Sequence, residues 1–411
     1  MRGIVACVSR DWHDRVYTVS EFWSSITIFK SVSLDRLKFV LSKCDTGPIH
    51  VRLHLRDIRA IFGKPPTVWS VAILVDGIMD LISPHFRRWQ SFQLITENPF
   101  VFSRVQYHCR TISVEALHNL HLAYVYMPGY SPNPLPLETY DLPFHPHPWF
   151  SDSFGTVRRA TLFCCHLNWA AFGAYKNLES LEISDFFRSD DLDPSILPTI
   201  FQSAHRLRSL TIGAIRSFPV GSNFKLASNS LRTLDVEFYR PDFVGRILAS
   251  IQAPNLHSLT VRQVYDGVDL LLKCPSLLST VRSFAVHSSI GDRVLLFRLF
   301  SAMPNLVSLD LTHSTSDAFY AYTDWALTRP GLHLPNPSTN LRSLFLGRVK
   351  PQSILRLVEF IDSRPEYSPR AGLRKLRFEQ MSDSPGDSPA LCKLRGCVSD
   401  FAITNVFWQT L

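Results

Sequence analysis

Seven residues recur along the chain with little change: NLESLEI at 177–183, NLHSLTV at 255–261, NLVSLDL at 305–311 and NLRSLFL at 340–346. The template beneath them is L-x-x-L-x-L, with β-branched or aromatic substitutes. Eight clear copies follow it: LESLEI (178–183), LRSLTI (207–212), LRTLDV (231–236), LHSLTV (256–261), VRSFAV (281–286), LVSLDL (306–311), LRSLFL (341–346) and LRKLRF (373–378). Weaker copies precede them, WQSFQL (89–94), LHNLHL (117–122) and VRRATL (157–162). First positions of the clear copies step by 29, 24, 25, 25, 25, 35 and 32 residues. Apolar alternation over so short a run specifies a strand. Such a strand cannot complete a core alone, so each copy needs a stacked neighbour.

The segments between copies read as helices. GDRVLLFRLFSAMP (291–304) carries an apolar stripe that stops at Pro304, and SILRLVEFIDS (353–363) places Ile354, Leu357, Val358 and Ile361 at helical spacing. Pro254 and Pro304 stand directly before repeat starts, where a helix must end for a strand to begin. Together these features resemble the leucine-rich-repeat superfamily over roughly residues 89–380. Coils in that superfamily run about 20–29 residues, so five of the seven spacings fit and two imply insertions. The fold expected is an α/β leucine-rich-repeat solenoid, with short parallel strands on a concave face and helices outside.

Alternation sends the third, fifth and seventh template positions to the solvent-facing inner surface. Candidate partner-binding residues there are Asp235, Arg262, Asp310, Phe345 and Arg377. Glycines and serines such as Ser184, Gly213 and Gly347 are expected on the same face. The second position is arginine in five of the eight clear copies: Arg208, Arg232, Arg282, Arg342 and Arg374. Such a ladder either solvates the strand rim or contacts an acidic partner. A ligand protein is expected on the concave surface.

Composition narrows the class. With 45% hydrophobic and 19% charged residues, the 411-residue chain has ample material for a core. The formal charge of +8 is spread along the chain, so it predicts no specific nucleic-acid partner. The most apolar stretch, SVAILVDGIMDLIS (70–83), contains Asp76 and Asp80, and no membrane span is expected. The apolar run Ile4 to Val8 is too short for a secretory leader. Eight cysteines, at 7, 44, 109, 164, 165, 274, 392 and 397, form no CxxC pair, and no N-glycosylation sequon occurs. Free thiols in a reducing compartment are the expectation, placing the protein in the cytoplasm, the nucleus or both.

Residues 4–28 are not a repeat unit. Ile4, Val8, Trp12 and Val16 recur every four residues, one face of a helix. SLDRLKFVLSKC (33–44) is a second amphipathic helix, and GPIHVRLHL (47–55) turns at Gly47-Pro48 into a strand. Val8, Ser9, Arg10, Trp12 and Val16, followed by Phe22-Trp23 and Ile26, resemble the second half of an F-box. The arrangement is most similar to fungal proteins in which an F-box leads directly into leucine-rich repeats. There a W-x-S-I segment, a helix and a G/C-P-[IL]-x-[VL] strand come next, as Trp23 to Leu55 do here. The resemblance implies a small helical F-box-like cap that binds a Skp-type adaptor of a cullin–RING ubiquitin ligase. Val5, Val8, Trp12 and Trp23 are the residues it assigns to that contact. The family's first helix, of L-P-x-E-[IL] type, is not found after Met1. Either the true start lies upstream or the F-box is a remnant, with Trp12 and Trp23 serving as core residues.

The organisation expected is therefore a partial F-box-like segment (1–30), a linker with irregular first repeats (31–88), the solenoid (89–380) and a tail or cap (381–411). Inside the solenoid, 127–150 holds seven prolines and reads as an insertion loop. Its HPHPW end (145–149) lacks a third metal ligand, and SDSPGDSP (382–389) reads as a flexible segment with two Ser-Pro sites. No phosphate-binding loop, dinucleotide fingerprint or hydrolase motif is present, so no enzyme activity, metal or cofactor is expected. The function expected is a non-enzymatic substrate receptor, with a Skp-type adaptor, a cullin and an unidentified target protein as partners. The rival is a repeat scaffold unconnected with ubiquitin.

Overall fold

The computed structural model describes residues 9–29, 33–44, 46–55, 68–125, 149–150, 154–163, 176–184, 196–215, 225–238, 247–262, 271–287, 293–312, 340–349, 351–362, 373–381 and 389–403. Val5, Val8, the 127–148 part of the proline-rich stretch and the Ser-Pro sites at 384 and 388 lie outside them, as does the side chain of Trp12. The chain divides into two compact units, Met1–Leu207 and Arg208–Leu411.

The first unit begins with helix α1 (Arg10–Thr18), a 3-10 turn (Ser20–Trp23) and strand β1 (Ser25–Ile28). Helix α2 (Leu34–Lys43) and strand β2 (Ile49–Leu55) follow, then α3 (Val68–Ile82), β3 (Trp89–Thr96) and α4 (Pro99–Cys109). β4 (Asn119–Tyr124), β5 (Arg159–Phe163), β6 (Ser180–Ser184) and α5 (Ile196–Ser203) complete it. Each of β1 to β5 pairs in parallel with its successor. The helices start where capping residues permit. The Ser33 hydroxyl accepts from Arg36 N at 3.2 Å ahead of α2, and Asn98 Oδ1 accepts from Phe100 N at 2.9 Å ahead of α4, with Pro99 at the first helical position.

β1 and β2 precede every copy of the leucine template; β2 falls where irregular first repeats are expected and β1 within the F-box-like segment, and both belong to this ladder. Their apolar residues are Ile26 and Ile28, then Ile49, Val51, Leu53 and Leu55, all buried in strict alternation without the leucine template. An aromatic cluster fills the middle of the unit. Trp89 stacks on Phe92 at 5.0 Å and Phe102 meets Trp149 edge-on at 5.0 Å. Trp149, the end of the HPHPW stretch, is fully buried, so this residue is core although its neighbours read as loop.

The second unit carries β7 (Ser209–Ile215), β8 (Thr233–Phe238), β9 (Ser258–Arg262), β10 (Ser283–His287), β11 (Ser308–Leu311), β12 (Ser343–Val349), β13 (Lys375–Met381) and β14 (Asp400–Ile403). Its helices include α6 (Arg293–Ala302), α7 (Pro351–Asp362) and α8 (Pro389–Cys397). Again each strand pairs in parallel with the next. The register aligns equivalent template positions, so Leu210, Leu234, Leu259, Phe284, Leu309, Leu344 and Leu376 form one row, all buried to 2% or less. Burying one such side chain contributes about 1.5–3 kcal/mol. This is an α/β ladder of the leucine-rich-repeat type. The stretch expected as a tail or cap supplies α8 and β14, and β14 pairs with β13 as one more coil.

Main-chain bonds fix the entry to each strand. The Arg208 carbonyl accepts from both Arg232 N and Thr233 N at 2.8 and 2.9 Å, and the Arg232 carbonyl accepts from His257 N and Ser258 N in the same way. His257, Arg282, Val307 and Arg342 repeat the pattern for the coils that follow. Not every seventh position reaches the open face. Ser184, Gly213 and Gly347 are buried although they lie within their strands. At Gly347 the backbone approach is so close that an added Cβ would lie 2.2 Å from the Thr312 carbonyl oxygen.

No described helix is long and apolar enough to cross a membrane. α3, which holds the apolar stretch at 70–83, instead buries Val71, Val75, Ile78, Met79 and Ile82 within the first unit. Cys44, Cys109 and Cys392 form no disulfide. Burial pushes the Cys109 thiol well above its usual range, which leaves it unreactive.

Candidate functional site

The nine partner-binding candidates all fall in the second unit, and the structure sorts them into two groups. Arg208, Arg232, Arg282 and Arg342 precede β7, β8, β10 and β12 and are exposed. Arg374, before β13, extends the same row, and half-exposed His257 fills the place before β9. The remaining five stand on the strands themselves and are engaged within the fold.

On β8 and β9, Arg262 Nη2 donates to Asp235 Oδ2 at 2.5 Å. Glu237 is the register neighbour of Arg262 on one side and His287 on the other. Burial raises the Glu237 carboxyl above its ordinary value; the Arg262 guanidinium pulls the other way and the Asp235 charge adds to the rise. Asp235 Oδ1 and Arg262 Nε are buried and find no hydrogen-bond partner among the described residues. Asp310 Oδ1 accepts from Thr312 N at 2.9 Å and from the Thr312 hydroxyl at 2.7 Å, closing the end of β11. Arg377 lies over the Phe345 ring at 5.9 Å and within 4.0 Å of Asp400, which also faces Lys375 at 3.8 Å. The register sets Asp235, Thr260, Ala285, Asp310, Phe345 and Arg377 side by side on successive strands. The open face is thus small, polar and charge-balanced by its own residues.

Of the adaptor candidates, Trp12 sits in α1, and Trp23 ends the 3-10 turn. Trp23 is buried at 7% exposure, and its indole Nε1 donates to the Val16 carbonyl at 2.6 Å. Its ring packs with Tyr17 and edge-on against Phe39, with centroids at 5.6 and 5.7 Å. Three apolar neighbours remain exposed in this element, Val19 at 37%, Phe22 at 40% and Phe39 at 42%.

One cluster had no signal in the sequence. On α4, Arg104 makes a two-pronged contact with Asp76 of α3, both bonds at 2.7 Å, and His108 Nε2 lies 2.8 Å from the same carboxylate. The Arg104 hydrogen bonds hold the Asp76 carboxyl down to about 2, against the opposing effect of burial and with help from His108. Arg104 and His108 share a helix face at i and i+4, but their partner lies 28 and 32 residues earlier, on another helix. Only the packing of α3 on α4 brings the three together. Among the described residues no group of three His, Cys, Asp or Glu side chains is arranged to hold a metal.

No family model matches the chain, and no curated protein matches it significantly. Solved structures similar to it include a Bacteroides fragilis protein, at 12% identity and a TM-score of 0.35, over 61% of this chain and 66% of the other. The complex of Rad7 and Elc1 in yeast also matches, at 12% identity and a TM-score of 0.38, over 95% of this chain and 90% of that one. Likenesses this distant assign no function. The repeat fold rests on the parallel ladder and its register.

Proposed function

We propose that the chain is a non-enzymatic protein-interaction module that serves as the substrate receptor of a Skp–cullin–F-box ubiquitin ligase. In this reading the N-terminal element docks the Skp-type adaptor, the repeat strands hold the target, and the chemistry belongs to other subunits. One observation carries it. A helix and a 3-10 turn exposing Val19 and Phe22 lead straight into β1, which pairs with β2 at the start of the ladder. An apolar N-terminal patch continuous with a repeat ladder suits a bridge between an adaptor and a bound target. The protein would work in the cytoplasm or nucleus, where cullin ligases act.

A second reading, a repeat scaffold unconnected with ubiquitin, draws on the burial of Trp23, whose indole is already committed to Val16. The two separate in one experiment. Full-length protein is mixed with purified Skp-type adaptor and cullin, beside a Val19→Asp, Phe22→Asp variant whose folding is checked by circular dichroism. Adaptor retained by the wild type and released by the folded variant supports the receptor. Failure of the wild type to retain adaptor leaves the scaffold.

A further inference from the structure

The arginine row before the strands of the second unit differs from every other charged group on that unit's open face. Arg262 is paired with Asp235, and Arg377 lies near Asp400. Arg208, Arg232, Arg282, Arg342 and Arg374 are exposed, and none of the five pairs with an acidic group among the described residues. Their placement is not loose. The carbonyls of Arg208, Arg232, Arg282 and Arg342 each accept two main-chain N–H bonds from the next coil, at 2.7–2.9 Å. The Arg374 carbonyl accepts from Asp400 N at 2.9 Å and from the Ser399 hydroxyl at 3.0 Å. The Cα atoms are therefore held at the strand spacing of about 4.8 Å, with His257 and Val307 at the two places between arginines.

Arg208 and Arg232, and likewise Arg342 and Arg374, are one spacing apart, within the Debye length of about 8 Å at physiological salt, and repel each other; across His257 and Val307 the spacing doubles to about 9.6 Å and the repulsion is weaker. A row of this kind is relieved by an anionic ligand lying along it. Seven strand positions at that spacing span about 29 Å, the length of about nine residues of extended peptide. Each guanidinium can take a carboxylate through two parallel N–H donors. A single-stranded nucleic acid would call for aromatic platforms. The row contains none, and the residue after each of its members from Arg208 to Arg342 is a serine or threonine.

We propose that this edge is the docking site for an extended, acidic segment of a partner protein. The site stands independently of the adaptor reading, because it involves only the second unit. The test uses the full chain and fluorescence anisotropy with a labelled, alternating Glu-Ser peptide of about nine residues. Single-stranded oligothymidylate of the same span serves as the competing class. The peptide binds the wild type and is released by salt. Arg232→Glu, Arg282→Glu, Arg342→Glu weakens it roughly tenfold or more. Arg36→Glu, Lys38→Glu, Arg87→Glu, the same charge change at exposed sites of the first unit, leaves binding within about twofold of wild type. A triple Arg→Gln variant of the row, checked by thermal melting, gives the same loss if the reversal variant does not fold. Equal losses in the row and control variants, absence of peptide binding, or tighter binding of the oligonucleotide than of the peptide would each overturn the proposal.

Discussion

Asn305 donates its side-chain amide to the Ser279 carbonyl at 2.8 Å, and Asn255 donates in the same way to the Asn229 carbonyl at 2.8 Å. Asn177 reaches the Gly155 carbonyl and Asn340 the Pro304 carbonyl. These are the four asparagines that open the recurring N-L-x-S-L motif, and each ties its coil to the one before. The motif thus contains a polar brace beside its leucines.

Replacing Asn305 by alanine removes one brace at the surface and is expected to cost about 0.5–1.5 kcal/mol. Asn255→Ala should cost a similar amount and the two should add, because they share no partner. Urea denaturation reads both. An unmoved midpoint in either variant would mean that water replaces the contact in full.

Gly347→Ala places a methyl against the Thr312 carbonyl, and backbone, not a side chain, has to move. A loss of about 1–3 kcal/mol is expected, concentrated in the pairing of β11 with β12. Gly396, on α8, has nothing within 4 Å of the equivalent position, so Gly396→Ala should stabilise by up to about 1 kcal/mol. Hydrogen exchange on the two variants distinguishes local opening from a global change.

The depressed Asp76 carboxyl makes a pH-dependent contribution. Its value falls from 3.8 to about 2 on folding, so the unfolded chain takes up the proton first as pH drops. The stabilisation is complete above the unfolded value, declines as pH falls from about 4 to 2, and is gone below that. Asp76 and Arg104 side chains are 28 and 36% exposed, and solvent screening limits the pair to about 1 kcal/mol. The stability difference between wild type and Asp76→Asn should therefore be near that size at neutral pH and vanish near pH 2. A difference that stays constant across the range would exclude the ion pair as its source.

Trp23→Phe keeps an aromatic ring but removes the donor to Val16. The expected loss is about 1–2 kcal/mol, from the bond and the acceptor left buried. Melting followed by tryptophan fluorescence and by far-ultraviolet circular dichroism should show the same decrease. If stability is unchanged, the indole N–H does not brace α1 against the 3-10 turn.

The row of buried leucines was legible because it repeats: Leu210, Leu234 and Leu259 obey one template, and a template of that period admits one way of stacking strands. The exposed arginines beside them were legible for the same reason. β2 lies in the stretch expected to hold irregular first repeats, whereas β1 lies in the F-box-like segment, where isoleucine in simple alternation specifies a strand without naming its neighbours. Asp235 and Arg262 stood in the sequence as two separate candidates; the register of β8 against β9 joined them into one ion pair. Asp76, Arg104 and His108 gave no signal at all, because helices α3 and α4 meet only after folding. Local periodicity thus determined the coils, their core and their basic edge. Which charges are spent inside the fold and which stay open to a partner was decided by tertiary structure, because pairing between side chains far apart in sequence depends on register and helix packing.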